Sequence, residues 1–279
     1  MNLSTAIGSD MEDHASLSAP SIQTLLQYAG GASWRLELLH ACDHDLLVWM
    51  TRGQGRAIVE GRRRGVGAHN ALFIPAGTLH ALETGPQSFG LALTLPDGAE
   101  LGFGRMPRHL RIRDQQAQSD LTALLEAMQR ETARDNVLTG QAMRAYGQLV
   151  AVWLHRQEIT PDADQATAMH RLVAQYCDLL VRHHHTGVSM AELAAMLDVT
   201  PTHLSRSCKQ ACGLTAAEMQ SQVTLHAARS LIEQGDAPLS RIAAHLGFGS
   251  AAYFSRFVSQ QTGSSPSALR EARSAHAKK

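Results

Sequence analysis

SMAELAAMLDVTPTHLSRSCKQACG (residues 189–213) and SRIAAHLGFGSAAYFSRFVSQQTG (residues 240–263) are two versions of one pattern. Arg206 aligns with Arg256 and Gly213 with Gly263 at an offset of 50, whereas Ala194 aligns with Ala243 at 49, so one residue has been gained in the turn between. Each stretch reads as a helix, a tight turn and a second helix. Ala194 and Ala243 are small where two helices must cross closely, and Leu197 and Leu246 face inward just before the turn. Thr200 and Ser250 are N-cap residues for the second helix. Pro201 follows at the first helical position, where a missing N–H costs nothing. These units, over 189–210 and 239–260, are helix-turn-helix candidates whose second helix would enter a DNA major groove.

Working outward, Met219, Val223, Ala227 and Leu231 recur every four residues. They predict a connecting helix of about 18 residues and roughly 27 Å, enough to hold two recognition helices near successive major grooves about 34 Å apart. Upstream, a Pro161-Asp162-Ala163-Asp164 break predicts a linker. Before it, residues 119–133 and 139–157 carry helical stripes (Leu121, Leu124, Leu125, Met128; Met143, Tyr146, Leu149, Val150, Trp153, Leu154) that predict a helical hairpin. Leu121, Leu125, Met128, Leu149 and Trp153 look like more apolar surface than one small barrel can cover, so a homodimer contact is expected there. From Ser33 to Leu95 the runs WRLELL, DLLVWM, RAIVEG, NALFIPAG and FGLALTL alternate with glycine-rich turns, as in a small all-β sandwich or barrel. Residues 1–18 read as a mobile polar tail.

The bulk numbers do not announce a nucleic-acid partner. The 279 residues carry 25 Lys+Arg and 25 Asp+Glu. Residues 161–279 hold 11 basic against 9 acidic side chains, and from Thr186 onward the ratio is 9 to 6. The basic bias is slight, so the motifs carry the argument. Four cysteines without a CxxC pair, no signal-peptide pattern in the first twenty residues and no membrane-length apolar run read as a cytoplasmic chain.

Residues 170–271 resemble the DNA-binding domain of the AraC/XylS family. The resemblance rests on Ile242-Ala243, Gly247-Phe248, Tyr253-Phe254-Ser255-Arg256, Gly263 and Ser265-Pro266 in the second unit. The first unit departs from the family pattern at Ser207-Cys208, Ala216, Met219 and Thr224. Carried over by position, the resemblance implies base contacts from Thr202, Ser205 and Arg206, and from Ala251, Ala252, Ser255 and Arg256. His203 and Ser250 flank these on the same helix mouths and join the set. Arg206 can read guanine O6 and N7 together. The bland alternative is that each arginine pairs with a carboxylate or a phosphate.

Residues 30–95 resemble the cupin-like sensor domain of the same family, most clearly in Leu72-Phe73-Ile74-Pro75-Ala76-Gly77-Thr78-Leu79-His80. On this reading Trp34, His44, Trp49 and His80 line a pocket for a small organic effector. Two other roles stay open for the histidines: plain structural residues, or a Cys42/His44/His80 zinc site. His183-His184-His185 reads as a solvated helix end, Cys208 and Cys212 as buried thiols, and Arg62-Arg63-Arg64 as a solvated hairpin tip.

The expected fold class is α+β: a cupin-like β barrel (19–107), a helical hairpin (108–160) and an all-α domain with two helix-turn-helix units (161–279). The expected function is a sequence-specific, effector-responsive transcription regulator acting on double-stranded DNA, with RNA polymerase as a further candidate partner. No catalytic residue, metal, cofactor or membrane contact is expected. The alternatives are a metal-dependent cupin enzyme fused to a DNA-binding module, and an adaptor whose DNA domain no longer reads sequence.

Overall fold

A computed structural model describes residues 19–96, 98, 100–134, 136–157 and 167–276. The tail at 1–18 and the break at 161–164 lie outside the described residues. The fold class is the one expected, N-terminal sheets followed by helices. A five-stranded antiparallel sheet has the order β1-β7-β2-β5-β8, from β1 (Ser21–Thr24), β2 (Asp45–Arg52), β5 (Asn70–Ile74), β7 (Phe89–Leu95) and β8 (Arg108–Arg111). A three-stranded sheet, β4-β3-β6, pairs β3 (Gln54–Val59) with β4 (Arg62–Gly67) and β6 (His80–Thr84).

The uninterrupted apolar runs follow from burial of the large sheet on both faces. Along β2, Leu46, Val48 and Met50 point between the sheets, where they meet Ala57, Val59, Val66, Leu72, Ile74 and Leu82. Leu47 and Trp49 point the other way, toward a helical pair α3 (Gln115–Arg134) and α4 (Thr139–Gln157). The space between the two sheets is lined by these apolar side chains. WRLELL is not a strand: Trp34–Glu37 forms a single helical turn, α2, after the shorter turn α1 (Leu25–Tyr28). Its Glu37 and Leu38 amides bond back to the Ser33 and Trp34 carbonyls, which leaves no ladder for a strand partner.

The helical pair forms over the expected residues, but its apolar stripe is used within the chain. Leu121, Leu125, Met128 and Trp153 are buried against the large sheet, leaving Leu149 and Val152 exposed. Four of the five residues from which a dimer contact was expected are thus used within the chain, and Leu149 stays on the surface. Trp49 donates its indole N–H to Thr122 Oγ1 (3.2 Å), and Trp153 donates to the Ala117 carbonyl (2.9 Å).

Seven helices complete the described chain: α5 (Ala168–His183), α6 (Met190–Met196), α7 (Pro201–Cys212), α8 (Ala216–Gln234), α9 (Leu239–His245), α10 (Ala251–Thr262) and α11 (Pro266–His276). They form two cores along α8. Met219 and Val223 join the first, and Ala228 and Ile232 join the second with Ile242, Ala243, Leu246, Phe254 and Val258. The first core does not stop at the helices. Leu39, Leu79 and Ala81 from the small sheet and its approaches pack with Val173, Tyr176, Cys177, Leu204 and Cys208 in one buried cluster. Of Arg62, Arg63 and Arg64, expected at a solvated tip, Arg63 is exposed but Arg62 and Arg64 are half-buried. Glu60 and Gly61 make the turn, the arginines open β4, and Arg62 Nη2 lies 2.9 Å from His170 Nδ1 on α5.

Candidate nucleic-acid interface

The two recognition helices, α7 and α10, are built alike. Thr200 Oγ1 accepts the His203 amide and Ser250 Oγ the Tyr253 amide, each at 3.2 Å, so both N-caps are those expected. Pro201 opens α7. Gly213 and Gly263 end the helices in the left-handed region, at φ +87° and +72°, where a Cβ would be strained. In the preceding turns Asp198 (φ +54°) and Gly247 (φ +74°) occupy equivalent left-handed positions. Ala194 and Ala243 are completely buried at the helix crossings. The first unit is braced further by two capping boxes. Hydrogen bonds from the Ser189 side chain and amide hold the Glu192 carboxyl below its usual range, and those from the Thr215 amide and side chain do the same for Glu218.

Burial sorts each helix into an inner and an outer face. On α7, Leu204, Ser207, Cys208 and Cys212 are buried, while Thr202, His203 and Arg206 are exposed and Ser205 is half-buried. On α10, Phe254 and Val258 are buried, while Ala251, Ala252 and Arg256 are exposed and Ser255 is half-buried. The expected contact residues thus share one outward face per helix, with Ser250 exposed at the mouth of the second. Neither Arg206 nor Arg256 has a hydrogen-bond or ion-pair partner among the described residues. The reading in which each pairs with a helix carboxylate finds no carboxylate in place. Tyr253 was not in the expected set. It is 59% exposed on the same face of α10, with its ring 5.7 Å from that of Phe248. Its place in the family signature could have flagged it.

The two units meet backbone to backbone. A Cβ built on Gly187, at the end of the α5–α6 loop, would lie 2.6 Å from the Gly247 carbonyl oxygen. One on Gly247 would lie 2.3 Å from the Gly187 nitrogen. Only glycine at both positions permits this approach, which fixes one recognition helix relative to the other. With α8 of 19 residues, about 28 Å at 1.5 Å per residue, the spacing suits successive turns of a groove.

Residues 193–272 match the family model described as a helix-turn-helix domain. The C-terminal part of the chain carries a helix-turn-helix domain. A curated relative, the bifunctional transcriptional activator/DNA repair enzyme AdaA of Bacillus subtilis (strain 168), is 27% identical over 133 residues, 48% of this chain and 60% of the relative. The chain therefore spans about three-fifths of that relative's length. Among solved structures, ToxT from Vibrio cholerae strain SCE256 with unsaturated fatty acid bound is 15% identical, covering 90% of this chain and 94% of that one at a TM-score of 0.42. An AraC-type regulator from Chromobacterium violaceum is 22% identical, covering 37% of this chain and 92% of that one at a TM-score of 0.34.

The four residues expected to line an effector pocket are not gathered in one place. Trp49 is buried on the face of the large sheet toward α3 and α4. Trp34 lies instead at the contact with the helix-turn-helix domain, where the Arg229 guanidinium sits 4.3 Å from its ring centroid and the His226 ring 5.3 Å. His44 is held by Asp43 Oδ1 (2.9 Å) and faces the Tyr28 hydroxyl (3.1 Å). His80 is buried beside His40, their centroids 4.3 Å apart, and His40 stacks on His226 of α8 at 4.3 Å and 8°. Burial pushes the basicity of His80 down to about 3 and of His226 to about 2, with neighbouring histidines adding to the effect. These rings are neutral at physiological pH. An open groove of about 440 Å³ lies elsewhere, between β2 and α3, lined by Thr51, His69, Gln118, Thr122 and Glu126 among others.

Proposed function

We propose that the protein is a sequence-specific, double-stranded DNA-binding transcription regulator whose sheet-containing part governs the AraC-type domain. The observation that carries the reading is the pair of matched recognition helices, each presenting an exposed arginine without a partner beside a clean N-terminal turn. A free guanidinium can bond a guanine edge bidentately, worth about 1–3 kcal/mol of discrimination. The match of residues 193–272 supports the same reading.

The regulatory half of the proposal rests on the shared core. Because Leu39, Leu79 and Ala81 pack directly on α5 and α7, a ligand that shifts the small sheet must also shift or release the first recognition unit. A small organic effector bound to the sheet-containing part would act through that contact, and the groove over β2 and α3 is large enough to receive one. Selection from a pool of random duplexes by the full-length protein tests the DNA reading. Enrichment of two short base-specific segments about one helical turn apart is expected. Equal retention of all sequences would contradict it and favour an adaptor.

A further inference from the structure

We propose that His40, Cys42 and His80 form a transition-metal site of the zinc or cobalt(II) class at the contact between the small sheet and α8. The proposal is independent of the DNA-binding reading. One ligand atom from each of the three residues lies within 4.8 Å of the others, the only such group among the described residues. Closing to metal-bond lengths of about 2.0–2.3 Å requires small side-chain movements only.

The two histidines are already arranged as metal ligands. His40 Nδ1 lies 2.8 Å from the Leu38 carbonyl, and His80 Nδ1 lies 2.9 Å from the Thr78 carbonyl. A carbonyl only accepts, so each Nδ1 carries the proton and each Nε2 keeps its lone pair. A backbone carbonyl on the far nitrogen is the usual partner that fixes the tautomer of a metal-bound histidine. His80 Nε2 is buried with no hydrogen-bond partner, and the residue is 2% exposed. An orphaned acceptor at such depth is costly unless something electrophilic meets it.

Cys42 supplies the third, softer donor from a half-buried position that gives access from solvent. The thiolate, not the thiol, is the ligand, so a metal ion must displace the proton. In the balanced step the dication bonds to sulfur and one proton leaves to solvent. The Tyr28 hydroxyl, 3.5 Å from Cys42 Sγ, is placed to donate to the resulting thiolate. Three protein donors leave one position for water or an exogenous ligand. His226 covers His40 face to face, so any turn of the His40 ring on ligation is felt by α8.

The test uses the full-length protein, stripped with chelator and reloaded with cobalt(II) or zinc(II). Expected are about one metal per chain and a thiolate-to-cobalt charge-transfer band. The band should vanish in Cys42→Ser and uptake should fall at least tenfold in His40→Gln, while His44→Gln keeps both. Should a variant fail to fold, alkylation of the wild type decides: zinc must protect Cys42, and chelator must expose it. Substoichiometric uptake by the folded wild type, or uptake and alkylation indifferent to Cys42, would overturn the proposal. Loss on His44→Gln with retention on His40→Gln would also overturn it.

Discussion

Replacing Gly61 by alanine strikes the contact between the sheets and the helix-turn-helix domain. Gly61 closes the β3–β4 turn at φ +68°, beside Glu60 at +48°. A Cβ there would lie 2.3 Å from Val173 Cγ1 and 3.2 Å from Cys177 Sγ on α5. Val173 is fully buried and β-branched in a helix, so its side chain has one χ1 well and cannot swing aside. The left-handed backbone costs an alanine about 1 kcal/mol. Overpacking adds about 1–3 kcal/mol. Gly77→Ala is the control, because Gly77 has a similar φ of +74° and nothing within 4 Å of its built Cβ. Gly61→Ala should exceed it by about 1–3 kcal/mol, a factor of about 5 to 150 in the folding equilibrium. Denaturant unfolding gives the energies. Amide exchange gives the location, with faster exchange in α5 and α7 for Gly61→Ala alone. Equal costs for the two variants, or α5 amides unchanged in Gly61→Ala, would refute the shared core.

Other perturbations address the DNA-binding face and the buried thiols. Arg206→Ala should relax base preference in one half of the selected site, whereas Arg256→Ala, flanked by Ala251 and Ala252, should weaken binding more evenly; selection from random DNA with each variant would show the reverse if the roles are exchanged. Gly247→Ala should destabilise by about 2–4 kcal/mol, from its positive φ and its approach to the Gly187 backbone, and a loss below about 1 kcal/mol in thermal unfolding would contradict that approach. Burial raises the thiols of Cys177, Cys208 (to about 12) and Cys212, so at pH 8 all three should react with an aromatic disulfide only as the protein opens. Prompt modification of Cys208 or Cys212 in the native state would point to redox sensing instead.

The helix-turn-helix pair was legible because its signals are local. Thr200, Pro201 and Ser250 declare helix starts, Gly213 and Gly263 declare stops, and the repeat places Arg206 and Arg256 in register. The sheet order was less so, since DLLVWM and FGLALTL are apolar on both faces and carry no alternation to orient them. The contact between the two halves was illegible. Gly61 and Val173 lie more than a hundred residues apart, and nothing in either neighbourhood names the other. Arg62, Arg63 and Arg64 read as a charged tip because charge usually means solvent. The Cys42/His44/His80 alternative placed His44 beside His80 by likeness to metal-dependent cupin enzymes. The strand begins at Asp45, and the segment before it bridges at His40, whose amide bonds with the His80 carbonyl exchange both ways. That bridge turns His40 and Cys42 toward His80 and leaves His44 with Tyr28.

The central claim is that two matched helices read DNA sequence. Its most direct test is the ratio of affinities of the full-length protein for its selected duplex and for a scrambled duplex of equal length, at one fixed salt concentration near physiological. A ratio of at least about 10³ is predicted, within the range of specific regulators. A ratio within about tenfold of unity would mean that binding is carried by phosphate contacts alone, and would contradict the account.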